Sequence, residues 1–399
     1  MFTNVSESMG SDGYTEIQAQ GWMSRLGNAF LGIPIGLILL VASLVVLFWN
    51  EGRSVRTARA LAEGKAAVVS TDADRVDAAR NGKLVHVSGL ATTDQTLKDP
   101  QLRVSAPAIR LQRIVKMYQW RQRSETKTQR KLGGGQEQVT TVTYSKDWSD
   151  TLIDSTKFKK PGGHENPHAF PWDNWSADAE VVKLGAFRLP GNLVSQINKS
   201  EPLPVGDSER DSLPPELKDR LKVDHGHGKF YLGTDPGDPR VGDLTIEFRQ
   251  VRPSAVSVLA QQAGDSFQPY QTRAGGTINR LQMGTASAEE MFHAAAAGND
   301  LVAWLLRLAG FVVMAIGLAM ILGPLAVVAD VVPFLGEIIR FGTGFIAIGV
   351  ALVLSMVTIA LGWIAYRPVI GVAVLIMAGG ALIGFLLLAR SHRRAPIAV

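Results

Sequence analysis

Histidines are the side chains best suited to acid–base or metal chemistry in this chain of 399 residues, which has seven histidines and no cysteine. His225 and His227 lie in "DHGHG", and His164 and His168 lie in "GGHENPH". Two imidazoles at positions i and i+2 of a strand share one face and suit a zinc ion. The glycines beside His225 and His227 instead favour a solvated loop, and His164 suits a structural hydrogen bond in a turn. We therefore expect no metal site.

Other catalytic patterns do not emerge from the sequence. It has neither GxGxxG nor GxxxxGK[ST], and "KLGGGQEQ" is a glycine turn that fits neither phosphate-binding pattern. Asp150, Asp173 and Asp178 are scattered, with no nucleophile elbow near them. Without cysteine there are no disulfides, thiolate nucleophiles or zinc–cysteine sites. We predict a protein that is not an enzyme and that has no cofactor.

Long uncharged stretches are the main structural feature of the sequence, and they determine the elements that position any site. Hydrophobic residues make up 46% of the chain and charged residues 19%, against about 25% charged in typical soluble domains. About 20 helical residues cross a hydrocarbon core of roughly 30 Å. Four uncharged stretches are that long: 26–50, 308–329, 341–366 and 368–389. We predict four membrane spans.

The predicted fold class is a multi-pass α-helical membrane protein with four spans and a large β-rich α+β domain inserted between spans one and two. The predicted segments, in chain order, are an N-terminal tail (1–25), span 1 (26–50), a juxtamembrane helix (51–64), the β-rich domain ending in a helix (65–300), span 2 (301–329), a connecting loop (330–340), span 3 (341–366), span 4 (367–389) and a basic tail (390–399).

The β-rich domain is predicted from alternating patterns separated by turn residues. The runs 108–123 and 137–148 flank "KLGGGQ" and predict a β-hairpin. One β-rich domain and two tandem β units both fit the remaining pattern. Ser287 and Glu290 form an S-x-x-E capping box and predict a helix start. We expect that helix to break at "GND" (298–300) before span 2.

Three arginines follow the first span at intervals of three residues. Arg53, Arg56 and Arg59 share one broad face of a helix. There they either reach lipid phosphates, at about 1 kcal/mol each near an anionic surface, or form an ordinary solvated helix end. Glu51 is expected to pair with one of them.

Aromatic side chains stand at the predicted ends of the spans. Trp49, Trp363 and Tyr366 are placed where amphipathic rings favour the headgroup layer. We expect these rings and the three arginines to contact membrane lipids.

Two GxxxG patterns fall within predicted spans. Gly32 and Gly36 form the first, and Gly380 and Gly384 form the second. Small residues at this spacing let helices pack closely, within one chain or between copies, although glycine is also simply common in membrane helices. We predict a homo-oligomer.

Orientation and partners are predicted from charge. Positive charges near the span ends are nearly balanced between the two sides, but the short basic "ARSHRR" (389–394) favours cytoplasmic termini and a large domain outside. The composition fits a bacterial inner membrane, with the endoplasmic reticulum or nuclear envelope as the eukaryotic equivalent. Basic residues in 110–131 alternate with apolar ones, so we expect no nucleic-acid partner.

An ordered set of short motifs resembles the LUMA family, transmembrane protein family forty-three. The motifs are "FWNEGR", "LAEG", "LVHVSGL", "KMYQW", "GHENP", "VGDL", "SAEEMF" and "GWIAYRP". The resemblance implies four spans, a large domain between the first two, and cytoplasmic termini. It further implies self-association and the organisation of membrane complexes, in animals with lamins and emerin, and no firmly attached enzymatic activity. Prokaryotic members exist.

The predicted function is therefore an integral membrane scaffold that self-associates and organises other membrane or envelope proteins. An oligomeric ion channel or pore is the alternative.

Overall fold

The computed structural model describes residues 3–7, 13–131, 135–330 and 333–369. The α-helices in these residues are α1 Trp22–Ala67, α2 Gly191–Val194, α3 Asp207–Asp211, α4 Pro215–Lys218, α5 Ala288–Ala329 and α6 Pro333–Tyr366. The strands are β1 Thr3–Glu7, β2 Gly13–Gln20, β3 Val69–Ser70, β4 Leu84–Thr92, β5 Thr96–Lys98, β6 Ser105–Pro107, β7 Arg110–Arg130, β8 Gln136–Ser149, β9 Trp175–Asp178, β10 Val182–Leu184, β11 Phe187–Leu189, β12 Glu201–Leu203, β13 Leu221–Asp224, β14 Lys229–Leu232, β15 Leu244–Val251, β16 Ser254–Ala263, β17 Ser266–Gln268, β18 Tyr270–Gln271, β19 Thr277–Ile278 and β20 Arg280–Met283.

The predicted number of membrane spans is wrong. In the described part of the chain, three helices are long and apolar enough to cross a membrane: Trp22–Ala67, Ala288–Ala329 and Phe341–Tyr366. One of them precedes the β-rich domain and two follow it. The prediction of four spans rested on uncharged length alone, and its fourth segment, 367–389, lies outside the described residues after Val369.

α1 and α5 run from the candidate spans into the domain without interruption. α1 includes both 26–50 and 51–64. At the start of α5, Ser287 and Glu290 form the predicted capping box, which is confirmed. The predicted break at 298–300 is wrong, because the alanine-rich run before Gly298 favours a helix strongly enough to continue through one glycine. The predicted loop 330–340 belongs largely to α6, which begins at Pro333.

A small apolar cluster joins these two helices to the domain. Leu61 of α1 and Phe292 of α5 pack against Leu84, Leu259 and Ile278 of the domain, and all five are buried. Burial of each such side chain contributes about 1.5–3 kcal/mol. The helices are therefore fixed to the domain by packing as well as by the chain.

A seven-stranded sheet supports this contact, and five of its strands close into a ring. β16 pairs with β4 and β17, β17 with β11, β11 with β10, and β10 with β4. Apolar side chains of these strands fill one buried core, which includes Val87, Phe187 and Val258. Closure leaves the five strands without an open edge within the ring.

A nine-stranded sheet holds the second core. Its main path is β1-β2-β8-β7-β15-β14-β13, with β9 on β7 and β12 on β15. The predicted hairpin is confirmed as β7 and β8, which pair from Met117↔Ser149 to Arg130↔Gln136. In the core of the nine-stranded sheet, Arg113 Nη1 lies 2.8 Å from Asp99 Oδ2, with both side chains almost fully buried. Burial lowers the pKa of the Arg113 guanidinium, and Asp99 opposes that shift.

The N-terminal strands extend this hairpin. β2 pairs with β8 from Gly13↔Thr143 to Gln20↔Gln136, and Gln20 lies two positions before α1 begins. The three long helices α1, α5 and α6 form a bundle. The hairpin therefore reaches from the domain to the N-terminal end of α1, which is the end of the bundle farthest from the domain. This pairing is incompatible with a bilayer crossed by α1, because the hydrocarbon core of about 30 Å would separate β2 from the domain.

Candidate functional site

A charged junction joins the three long helices at the domain side of the bundle. It consists of Glu51 from α1, Arg307 from α5 and Trp363 from α6. Arg307 Nε and Nη2 donate hydrogen bonds of 2.7 and 2.9 Å to the two carboxylate oxygens of Glu51. The Trp363 indole Nε1 donates a third, of 2.8 Å, to Glu51 Oε2. The Glu51 side chain is 2% exposed, so this carboxylate is held by protein groups.

Two glycines allow α1 and α6 to approach closely at the junction. A Cβ atom on Gly362 would lie 2.8 Å from Glu51 Cβ, and one on Gly52 would lie 2.7 Å from the Tyr366 ring. Both distances are shorter than real Cβ contacts, so only glycine fits at this crossing.

Aromatic rings cover the guanidinium of Arg307. Its Cζ lies 4.9 Å from the Trp304 ring centroid and 6.0 Å from that of Trp363. Cation–π attraction of this kind contributes about 0.5–2 kcal/mol. The two tryptophans therefore stabilise the charge where the bundle leaves the apolar layer.

An amide network fixes the register of α1 against α5 beside the junction. Asn50 Nδ2 donates to the Ala303 carbonyl at 3.0 Å, and Asn299 Nδ2 donates to the Ser54 carbonyl at 3.2 Å. Arg53 bridges the two amides, with Nη2 at 3.2 Å from Asn50 Oδ1 and Nη1 at 3.1 Å from Asn299 Oδ1. A register shift of one residue would leave these buried amides unpaired, at about 1–3 kcal/mol each.

The three arginines predicted to reach lipid phosphates have different surroundings. Arg53 is held by Asn50 and Asn299, and Arg59 Nη2 donates to the Tyr366 carbonyl at 2.9 Å. Arg56 is exposed. The expected pairing of Glu51 with one of these arginines is wrong, because Arg307 supplies two parallel hydrogen bonds from the facing helix.

The predicted interface rings divide into two kinds. Trp49 is 52% exposed on the outside of α1. Trp363 and Tyr366 are half-buried, and the Tyr366 ring packs 5.5 Å from that of Phe48. The latter two therefore contribute to contacts between helices.

The first GxxxG pattern packs inside one chain. A Cβ atom on Gly36 would lie 2.5 Å from the Gly317 carbonyl oxygen, and Gly32 faces Met320. The pattern thus serves the α1–α5 contact. Gly380 and Gly384 lie outside the described residues.

A second ion pair closes the far end of the bundle. Arg25 Nη2 lies 2.5 Å from Asp330 Oδ2, with 7% and 0% of the side chains exposed. Trp22 Nε1 donates to the Val327 carbonyl at 2.9 Å. The pairs Arg25–Asp330 and Glu51–Arg307 are about 35–39 Å apart along the helices, which spans a hydrocarbon core of about 30 Å and reaches the headgroup layers.

The junction itself was missed from the sequence, although a signal for it exists. Arg307 is the one charged residue in 301–329, and Glu51 is the first charge after 26–50. A single acid and a single base at matching ends of two antiparallel helices indicate a pair across the bundle.

The histidines of the two sequence motifs lie in the β-rich domain, apart from the junction. His225 and His227 occupy the turn between β13 and β14, and each faces a different carboxylate, Asp207 at 3.7 Å and Asp224 at 2.8 Å. His164 is buried, stacks 3.8 Å from Tyr144 and makes a 3.2 Å hydrogen bond to the Lys160 carbonyl. No group of histidine, aspartate and glutamate in the described ranges could hold a metal ion.

The fold and the junction define a class of protein: an integral membrane protein with a β-rich domain after its first candidate span and two candidate spans after that domain. The profile of the family "Transmembrane protein 43" matches residues 117–368. The chain belongs to this family. No solved structure matches it.

Several animal proteins are similar over most of their length. Transmembrane protein 43 of Homo sapiens is 33% identical over 377 residues, which cover 92% of this chain and 91% of the human protein. The Pongo abelii protein of that name is 33% identical, covering 91% of this chain and 90% of its own. The Drosophila melanogaster homolog is 29% identical, covering 87% and 91%.

Proposed function

We propose that this protein is a membrane scaffold that self-associates and presents its β-rich domain to other membrane or envelope proteins. The observation that carries the proposal is the unbroken passage of α1 and α5 from the candidate spans into the domain. The buried cluster around Leu61 and Phe292 fixes the domain to the helices. A domain held at a fixed distance from the membrane and in a fixed orientation suits the docking of partners, because little conformational freedom is lost when they bind.

Self-association is supported by the outer surface of α6. Gly342 and Gly349 are seven residues apart and share one helix face. Among the described residues, a Cβ atom on either would meet nothing within 4 Å. Phe345 lies between them in sequence and is 70% exposed. Helices that pack in membranes use small residues of this kind, so this face suits α6 of a second copy.

Two differently tagged copies expressed together should purify together from a mild detergent. We expect Gly349→Leu to lower the recovered partner at least about tenfold, because a bulky side chain holds the second backbone away. Gly323→Leu is the control, since Gly323 also has open space but lies on α5. Recovery of a single tagged species in every detergent would contradict self-association.

The proposal places the N-terminus in the cytoplasm and the domain on the other side of the membrane. Transfer of α1 into the bilayer removes about twenty apolar residues from water, at roughly 1.5–3 kcal/mol for each large side chain. Pairing of β2 with β8 involves 8 residue pairs, at about 1 kcal/mol per hydrogen bond. The bilayer is therefore favoured, and β2 separates from β8 when α1 inserts.

Single cysteines test this orientation, because the chain has none of its own. Lys199→Cys lies on the domain and Thr15→Cys on β2. In intact cells an impermeant maleimide should label Lys199→Cys at once and Thr15→Cys only after permeabilisation. Labelling of both in intact cells would mean that β2 stays paired with β8, and labelling of Thr15→Cys alone would place the domain in the cytoplasm.

The pore alternative gains no specific support. The stretches 26–50, 308–329 and 341–366 contain no charged residue, and ionisable groups inside spans usually mark ion pathways.

A further inference from the structure

An apolar groove runs between α5 and α6 on the outside of the bundle, starting at the junction. It encloses about 490 Å³. Its walls include Leu308, Phe311, Leu352, Met356 and Ile359, and it ends at Trp304, Arg307 and Trp363. The walls belong to the candidate spans, so the groove opens toward the acyl chains of the bilayer.

A smaller polar hollow of about 230 Å³ continues the groove toward the domain. The two share Trp304, Arg307 and Trp363, and the hollow adds Ser54, Asp300 and Arg367. An apolar channel thus leads directly into a charged recess. The shared tryptophans mark the level at which aromatic rings favour the headgroup layer.

Within the described residues, one cation and one anion of the hollow have no protein partner. Glu51 already neutralises Arg307 through two hydrogen bonds. The side chains of Asp300 and Arg367 make no hydrogen bond or ion pair with any other residue in the described parts of the chain. The same two residues also line a third hollow, of about 440 Å³, between α1 and α5.

We propose that the groove and the hollow bind one glycerophospholipid with an ethanolamine headgroup. One acyl chain lies in the groove between α5 and α6. Arg367, beside Arg307, binds the phosphate, and Asp300 accepts hydrogen bonds from the primary ammonium. A headgroup with one negative and one positive charge complements this pair, whereas a headgroup with only negative charge meets Asp300 unfavourably.

Asp300 gives the site its selectivity among lipids. A choline headgroup carries the same charge as ethanolamine but has no N–H group to donate. A glycerol headgroup has no cation. Hydrogen bonds to charged groups contribute enough to separate ethanolamine from both by about tenfold or more.

The test is native mass spectrometry of the purified full chain, titrated separately with phosphatidylethanolamine, phosphatidylcholine and phosphatidylglycerol of the same acyl composition. We expect one phosphatidylethanolamine to be retained at least about tenfold more strongly than either other lipid. Arg367→Gln should weaken retention of all three. Asp300→Asn should weaken only phosphatidylethanolamine, to the level of phosphatidylcholine.

Two further variants control for folding and for position. Ala360→Trp fills the groove, where Ala360 is a lining residue, and should abolish retention. Arg56→Gln removes an exposed arginine outside both hollows and should leave retention unchanged. Thermal unfolding of each variant shows whether it is folded.

Equal retention of the three lipids, a preference for phosphatidylglycerol, or retention untouched by Arg367→Gln would each overturn the proposal. So would a second copy of the chain in the groove, seen as dimers that Ala360→Trp disrupts.

Discussion

Replacement of Glu51 by alanine is expected to destabilise the helix bundle by about 3–5 kcal/mol, a large part of the 5–15 kcal/mol that holds a typical fold. The change leaves the Arg307 guanidinium without its carboxylate, with only 15% of its side chain exposed. The Trp363 N–H also loses its acceptor. Thermal unfolding of the purified protein in detergent, followed by tryptophan fluorescence, should show a fall in Tm of many degrees.

The unpaired charge of Arg307 is the expected cause of the lost stability, and a double variant tests this. Arg307→Met should be as harmful as Glu51→Ala, since each leaves one buried charge unpaired. Glu51→Leu combined with Arg307→Met should recover much of the lost stability, because apolar pairs often replace buried ion pairs without cost. Lys65→Ala removes an exposed ion pair with Glu289 and should leave Tm unchanged. A Glu51→Ala protein that melts like the wild type would refute the role of the junction.

Substitution of Gly36 by leucine is expected to separate α1 from α5. A Cβ atom at this position would lie 2.5 Å from the Gly317 carbonyl oxygen and 2.9 Å from Ile321 Cγ1. The first of these is backbone and cannot move away without shifting the whole helix. Overpacking costs about 1–3 kcal/mol where side chains can yield, and more is expected here.

Thermal unfolding of the Gly36→Leu protein should show this loss, and Gly27→Leu is the matched control on the same helix, with nothing within 4 Å of its added Cβ. Gly317→Leu should be equally harmful, since a Cβ there would lie 2.8 Å from the Gly36 carbonyl oxygen. Because both substitutions break one contact, the double variant should be little worse than either. An unchanged Tm for Gly36→Leu would show that the two helices do not depend on this crossing.

Local features of the fold could be predicted from the sequence because they depend on neighbouring residues. The glycine turn between 108–123 and 137–148 predicts β7 and β8, and Ser287 with Glu290 predicts the start of α5. Uncharged length identified the three candidate spans. The same criterion gave a fourth, 367–389, which lies outside the described residues after Val369.

The ring of five strands could not be predicted, because its strands are short and pair across long stretches of chain. β10, β11 and β17 have three residues each, too few for a period of two to be visible. Arg188 pairs with Ser266, almost eighty positions later. Such pairing depends on packing of the whole core, which a local pattern does not carry.

The candidate site, too, could be predicted only in part. The sequence identified residues at the right level of the bundle, such as Arg53, Trp363 and Tyr366. It did not identify their partners, since pairing of Glu51 with Arg307 depends on which helix faces which. Likewise a GxxxG pattern does not tell whether Gly36 packs against its own chain or another copy; the structure places Gly317 of the same chain against it.

The two ion pairs at the ends of the bundle together set the length of its apolar part. Arg25–Asp330 and Glu51–Arg307 are joined by stiff helices, so their separation cannot adjust to the surrounding lipid. When the bilayer is thicker or thinner than that separation, the bilayer deforms or the bundle tilts, at fractions of a kcal/mol per Å. The bundle therefore fits best in a membrane whose hydrocarbon core ends at the levels of the two ion pairs, where the charges reach the headgroup layers.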